Sequence, residues 1–240
     1  LSLPVYHKFY TEPSAIPHFH IGFRMSLVVR NLSEQLVDLV RDRILTCAVL
    51  PNSAIRQDAL ARELGISKIP LREALARLEQ EGLLISQANR GFFVRPLSAE
   101  EAEEVFALRL KLEPDVMVLS AERATAQQRK AAKDVFASLY QVTEAGGAGV
   151  AAFNRAFHMA LLRPAGQPIV LGILRRLHVM ADRYVRKHLE PLGRDERANE
   201  EHREILAIWL ARDLDNIRVL TERHLEKTRD ELRQQLTIES

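Results

Sequence analysis

Residues 53–94 read SAIRQDALARELGISKIPLREALARLEQEGLLISQANRGFFV, and this stretch decides the fold. Ala59, Leu60 and Leu64 recur with helical spacing. Gly65 follows directly, where a helix C-terminus favours a residue free to take positive φ. Ser67 then offers an N-cap oxygen, and Pro70 falls in the first turn of the next helix, where its missing N–H costs nothing. Leu71, Ala74, Leu75 and Leu78 carry the helical period to about Glu81, and Gly82 closes it. Leu83–Ser86 and Phe92–Val94 are strand-like, with Ala88-Asn89-Arg90-Gly91 as the turn between them. Two short helices across so brief a turn form a helix-turn-helix, which presents its second helix to a DNA major groove; the hairpin after it is a wing.

Upstream, Leu32, Leu36, Leu39, Val40 and Ile44 share one face, which predicts a helix over Asn31–Cys47. Residues 1–24 lack the charged start and apolar run of a signal peptide. They read as an extension or flexible tail, and His18 and His20 beside Pro13 and Pro17 fit a loose segment better than a metal site. Downstream the composition changes at Pro96. Ser98 and Glu101 stand three apart as a capping box opening a new helix. From there no strand is predicted. Helical stripes recur over 100–113, 115–124, 125–145, 150–162, 169–189, 198–212 and 215–236, broken at Pro114, at 146–149, at Pro164–Pro168 and at 191–193. The expected organisation is a tail (1–24), a winged helix-turn-helix domain of three helices plus a β-hairpin (25–95), and an all-α bundle of six or seven helices (96–240). The fold class is mainly α.

The composition is that of a packed globular chain. It has 240 residues, 47% of them apolar, and a formal net charge of +2. The stretch from Arg30 to Arg95 holds ten basic and eight acidic residues. A DNA-binding role therefore rests on where the charges sit, not on how many there are. The single cysteine, Cys47, excludes an intramolecular disulfide and reads as a small core residue in a reducing compartment. No apolar run reaches the ~18 residues of a membrane span. The expected location is the cytoplasm.

The polar residues of the second helix of the pair cluster at its N-terminal end, which meets base edges in such motifs. Arg72 can fork onto guanine O6 and N7. Ser67 and Lys68 can hold phosphate at the helix N-terminus. Arg90, flanked by Asn89 and Gly91, can enter a minor groove or touch phosphate.

Residues 55–94 resemble the winged helix-turn-helix of GntR-family bacterial regulators. The resemblance is carried by Leu60-Ala61-x-x-Leu64-Gly65-Ile66-Ser67, Pro70-Leu71-Arg72-Glu73-Ala74-Leu75, Leu78-Glu79-x-Glu81-Gly82-Leu83 and Asn89-Arg90-Gly91-x-x-Val94. It implies a homodimer on a palindromic operator in double-stranded DNA, with Ser67, Lys68, Arg72, Asn89, Arg90 and Gly91 at the contact, and Arg56 as a further candidate. Two positions depart from the pattern. Lys68 stands where the family favours Arg, giving a point charge in place of a planar fork. Ile69 stands where a small polar residue is usual.

In the bundle, Asn154 and His158 are i, i+4 and share a helix face. His202 lies on a face with Ile205, Leu206 and Trp209; His224 lies on one with Ile217 and Leu220. Three histidines thus sit on inward stripes of three helices, where imidazoles either take core hydrogen bonds or converge on a divalent metal. Arg109, among Phe106, Leu108 and Leu112, either clamps the carboxylate of a small organic acid or pairs on the surface with Glu113 at i, i+4. His178 shares a stripe with Leu171 and Leu174 and is expected to line the same cavity.

Residues 98–236 are similar to the FCD effector domain of the FadR branch, through Val105-Phe-Ala-Leu-Arg109-x-x-x-Glu113 and Phe157-His158. That resemblance implies a metal held by one Asp and three His, with Asn154 in the Asp position and His158, His202 and His224 as the imidazoles. An amide is a weaker ligand than a carboxylate, so the metal (Zn, Ni, Co or Mn) is held less firmly, or an anionic effector supplies the missing oxygen. Arg109 and His178 are the expected effector-binding residues, and a small carboxylate metabolite the expected effector. The function implied is that of a ligand-responsive regulator, a repressor by family default, and not an enzyme. Two other readings remain: a metal-dependent enzyme fused to a DNA-binding domain, and a helical dimer that senses nothing. No HExxH, GxSxG or P-loop stands in the sequence to favour the enzyme.

Overall fold

A computed structural model describes residues 22–145, 150–189 and 194–238, without the side chains of 22–31, 185–189, 195 and 237–238. The tail with His18 and His20 therefore lies outside the described residues, apart from its last three positions, as do the breaks at 146–149 and 191–193.

The N-terminal module is built from α1 (Gly22–Leu45), α2 (Gln57–Glu63), α3 (Lys68–Gln80), β1 (Leu84–Gln87) and β2 (Gly91–Val94). Helix α1 begins nine residues before the predicted Asn31. Gly65 takes φ +65° between α2 and α3, as the turn requires. Ser67 occupies the N-cap position of α3, but its side chain makes no capping bond. Leu71, Leu75 and Leu78 are fully buried against α1, with Leu36, Val37 and Val40 in the same core. Each such leucine contributes about 1.5–3 kcal/mol on burial, which fixes which face of α3 points outward. The strands pair antiparallel with Leu84 opposite Val94 and Gln87 opposite Gly91. Asn89 (φ +60°) and Gly91 (φ +85°) turn the wing.

The C-terminal module holds six α-helices among the described residues: α4 (Ala99–Arg123), α5 (Ala126–Glu144), α6 (Val150–Leu162), α7 (Pro168–Leu189), α8 (Arg194–Ala211) and α9 (Leu214–Ile238), with a 3-10 turn at Arg163–Ala165. Helix α4 runs unbroken through Pro114, where the sequence predicts two helices. Proline there removes one N–H from the helical ladder. The loss is outweighed because Glu113, Pro114, Val116 and Met117 are all buried, so packing keeps the helix continuous. Ser98 caps α4 by accepting from the Glu101 N–H at 3.2 Å. The capping box is only half formed, since the Glu101 carboxylate turns to Arg183 and Arg95 instead. A complete box, not predicted, opens α5 at Thr125 and Gln128. Trp209 sits at the centre of the bundle and donates to Ser120 Oγ at 3.0 Å.

Helix α7 meets both modules. Val179 is part of the N-terminal core. Met180 closes on Gly82, where a Cβ would stand 3.3 Å from Met180 Cγ. Arg183 donates to the carbonyls of Arg95 and Pro96, and Tyr184 donates to the Ser98 carbonyl at 3.2 Å.

Candidate DNA interface and ligand cavity

The outward end of α3 gathers the residues singled out in the sequence. Ser67, Lys68, Ile69 and Arg72 are exposed, as are Arg56 at the N-cap of α2 and Asn89 and Arg90 at the wing tip. The Arg90 guanidinium lies 5.3 Å over the Phe93 ring, which braces the wing. Gly91 is favoured by its φ of +85°; a Cβ there would also come 3.0 Å from Gln57 Nε2, the mobile end of a flexible side chain. Lys68 is not free: it pairs with Asp58 of α2. Both are exposed, so the pair is weak and opens readily, yet Asp58 opposes any phosphate that Lys68 would hold. Asp58→Asn is therefore expected to tighten binding about two- to fivefold on all duplexes alike, measured by fluorescence anisotropy at fixed salt. Unchanged affinity on every duplex would show that Lys68 does not touch DNA.

In the bundle, α6, α8 and α9 bring His158, His202 and His224 together. Ring centroids are 5.1 Å apart for His158–His202 and His202–His224, and 5.4 Å for His158–His224. One ligand nitrogen from each lies within 4.8 Å of the others. Tetrahedral Zn–N bonds set nitrogens roughly 3.4 Å apart, so modest ring rotation closes the triangle and the donor set fits a metal. Burial, then the neighbouring His202, His178 and His224, holds His158 well below the usual imidazole pKa. It stays neutral near pH 7 and keeps the lone pair that a metal requires. His224 Nδ1 lies 3.0 Å from Glu201 Oε2, which leaves Nε2 as the nitrogen on the opposite side of the ring. Carboxylate–imidazole pairs of this kind orient metal ligands.

These histidines line a cavity with Asn154, Arg109, Thr143, Asn199 and Thr228, closed by apolar groups such as Phe106, Leu139 and Leu232. About 40 Å3 of it is open to water-sized groups, room for roughly three waters. Asn199 is buried, and its Nδ2 has no hydrogen-bond partner, so a ligand acceptor here would satisfy a buried donor.

Arg109 is on the cavity wall, and its pairing with Glu113 is not the surface contact that i, i+4 spacing alone allows. Both are buried, at 4% and 2% exposure, with Nε 2.5 Å from Oε1. His178 differs from expectation. It is not on the cavity wall but behind it, 1% exposed, stacked on His158 at 5.3 Å and with Nε2 3.1 Å from Glu113 Oε1. Burial and then Arg109 push its pKa down against the pull of Glu113. Sequence reasoning missed Glu201, Asn199 and the role of Glu113. Glu201 immediately precedes His202, but its partner His224 is on another helix, and no spacing rule joins the two.

A winged helix-turn-helix joined to a helical domain with a histidine-lined cavity defines a class: DNA-binding transcriptional regulators with an attached effector domain. Residues 32–94 match the bacterial regulatory proteins of the gntR family, and residues 104–227 match the FCD domain. The chain belongs to the GntR family of transcriptional regulators and carries an FCD effector domain. It is 28% identical over 184 residues to the Nta operon transcriptional regulator of Aminobacter aminovorans, covering 76% of this chain and 85% of that protein. It is 26% identical to the HTH-type transcriptional repressor GlaR of Escherichia coli, covering 73% and 84%. Among solved structures, E. coli McbR/YncC shares the fold with a TM-score of 0.73 at 24% identity, over 85% of this chain and 98% of that one. Among the described residues no helix is long and apolar enough to cross a membrane.

Proposed function

We propose that the chain works as a homodimeric, ligand-responsive repressor on a palindromic operator, with a divalent metal and a small carboxylate in the bundle cavity. The observation that carries this reading is the convergence of His158, His202 and His224 on one small cavity that Asn154 and Arg109 also line. Three imidazoles and the Asn154 oxygen would hold the metal, which supplies a positive centre for an anionic ligand. The four proposed ligands include no carboxylate, so a bound metal keeps its charge within that set, while Arg109 is already balanced by Glu113. A carboxylate effector balances that charge, and Asn199 Nδ2 offers it a donor. The cavity's size restricts the effector to a few heavy atoms.

Helix α7 supplies the route to DNA. His178 rests on His158, the next residue packs into the DNA-binding core, and Arg183 and Tyr184 grip the connection at 95–98. A ligand that favours one ring arrangement biases α7 and thereby the placement of α3. Two such modules in a dimer read half-sites about one DNA turn or less apart.

Selection of duplexes from a randomised library with the full chain tests the reading. An inverted repeat should be enriched. Arg72→Ala should weaken binding to the selected duplex by ~1–3 kcal/mol while random duplex changes less. Equal loss on all sequences would remove Arg72 from base reading, and absence of any enriched sequence would overturn the reading.

A further inference from the structure

The most exposed large apolar side chain near the recognition end is Ile69, at 71%. It is the second residue of α3, one position after Lys68 and three before Arg72. At 100° per residue it lies about 170° from the centre of the buried stripe Leu71, Ala74, Leu75 and Leu78, so it points directly away from the core. Arg72, Glu73 and Ala76 flank it on the same outward face. Lys68 is drawn aside to Asp58, and Glu73 accepts from Ser33 Oγ of α1 at 3.2 Å. The crest of the helix is thus an isoleucine flanked by exposed charged groups.

A major groove offers few apolar surfaces. The thymine C5-methyl is the one that distinguishes a base pair, while guanine O6 and N7, adenine N6 and cytosine N4 all need hydrogen-bond partners. Ile69 has none to give, and seating it over those atoms would leave them desolvated and unpaired. We infer that Ile69 is a specificity-determining residue that reads a thymine methyl in each half-site, adjacent to the base contacted by Arg72. The inference rests on α3 being the groove-facing helix. It does not depend on metal, effector or cavity.

The probe is the duplex enriched from a randomised library by the full chain, resynthesised with deoxyuridine in place of each thymine in turn. Loss of one buried methyl corresponds to about a fourfold drop in affinity per half-site, and about fifteenfold when both symmetric positions are changed. The expected result is one symmetric pair of thymines whose demethylation weakens binding by this amount. Ile69→Ser should bind thymine and uracil duplexes equally. The substitution is exposed, so thermal melting should be unchanged. If no thymine is methyl-sensitive, or if the sensitivity persists in Ile69→Ser, Ile69 does not read a methyl. If no sequence is enriched at all, the inference falls together with the operator reading; an enriched repeat without methyl sensitivity overturns the inference alone.

Discussion

Replacing His158, His202 and His224 together by alanine is expected to abolish stoichiometric binding of added Zn, Ni, Co and Mn, measured by titration calorimetry on dialysed protein. Their ligand nitrogens, carried by α6, α8 and α9, come within 4.8 Å of one another. No other group of three or more His, Cys, Asp or Glu residues suited to a metal occurs among the described residues. Removing the three imidazoles would leave one amide of the proposed ligand set, which by itself holds no divalent ion. The triple variant also enlarges a buried cavity, at some cost in stability. Two milder variants separate loss of fold from loss of site. His224→Asn should lower affinity while circular dichroism stays unchanged. Asn154→Asp should raise affinity by on the order of tenfold or more, since it adds a full charge on the wall of the cavity that the histidines line. Metal retained at one equivalent by the folded triple variant would place the site elsewhere. Unchanged affinity in Asn154→Asp would show that this side chain is not a ligand.

The reasons some features were legible in the sequence and others were not are physical. The recognition helix was legible because its core face is strictly periodic: Leu71, Ala74, Leu75 and Leu78 are all buried. The exposed candidates on this helix, Lys68 and Arg72, follow from that face. His202 was legible as inward by Ile205, Leu206 and Trp209, and His224 by Ile217 and Leu220, while His158 was marked only by sharing a face with Asn154. Their convergence was not, because it depends on how three helices separated by long stretches of chain pack. Pro114 misled because local chemistry argues for a break, while burial on both sides of it argues otherwise and wins. Arg109 and Glu113 were visible as a pair, yet i, i+4 spacing is the same on a wet face and a dry one. His178 shared a stripe with core leucines and is indeed buried, but a stripe does not say which neighbour fills the next layer; here it is the His158 ring. Contacts of α7 with Gly82 and with residues 95–98 are long-range, and no local pattern announces them.

Burial changes what the Arg109–Glu113 pair is worth. Glu113→Gln is expected to destabilise the folded chain by about 3–5 kcal/mol, seen as a lower urea midpoint at constant slope. The amide keeps the shape but leaves the Arg109 guanidinium buried without its counter-charge. The effect has a pH signature. Burial alone would raise the Glu113 pKa, but Arg109 and His178 outweigh it and hold the carboxyl far below its ordinary 4.5. An unfolded glutamate takes its proton near 4.5, so the stabilisation from Glu113 is complete above that value and is lost as pH falls below it. His178 works in a different window. Its pKa is lowered from 6.5 in the fold, so the unfolded chain binds the proton first and stability declines as pH drops below about 6.5. Wild type should therefore lose stability on acidification in two stages. The gap between wild type and Glu113→Gln should hold steady through neutral pH and narrow below 4.5, where the wild-type carboxylate is itself being titrated in the unfolded state. A loss under 1 kcal/mol, or a gap that ignores pH, would mean that desolvation cancels the attraction and that Glu113 does no more than fill space. A gap that closes on schedule would identify Glu113 as the charge that keeps Arg109 seated at the cavity wall, with His178 against His158 sharing the same oxygen.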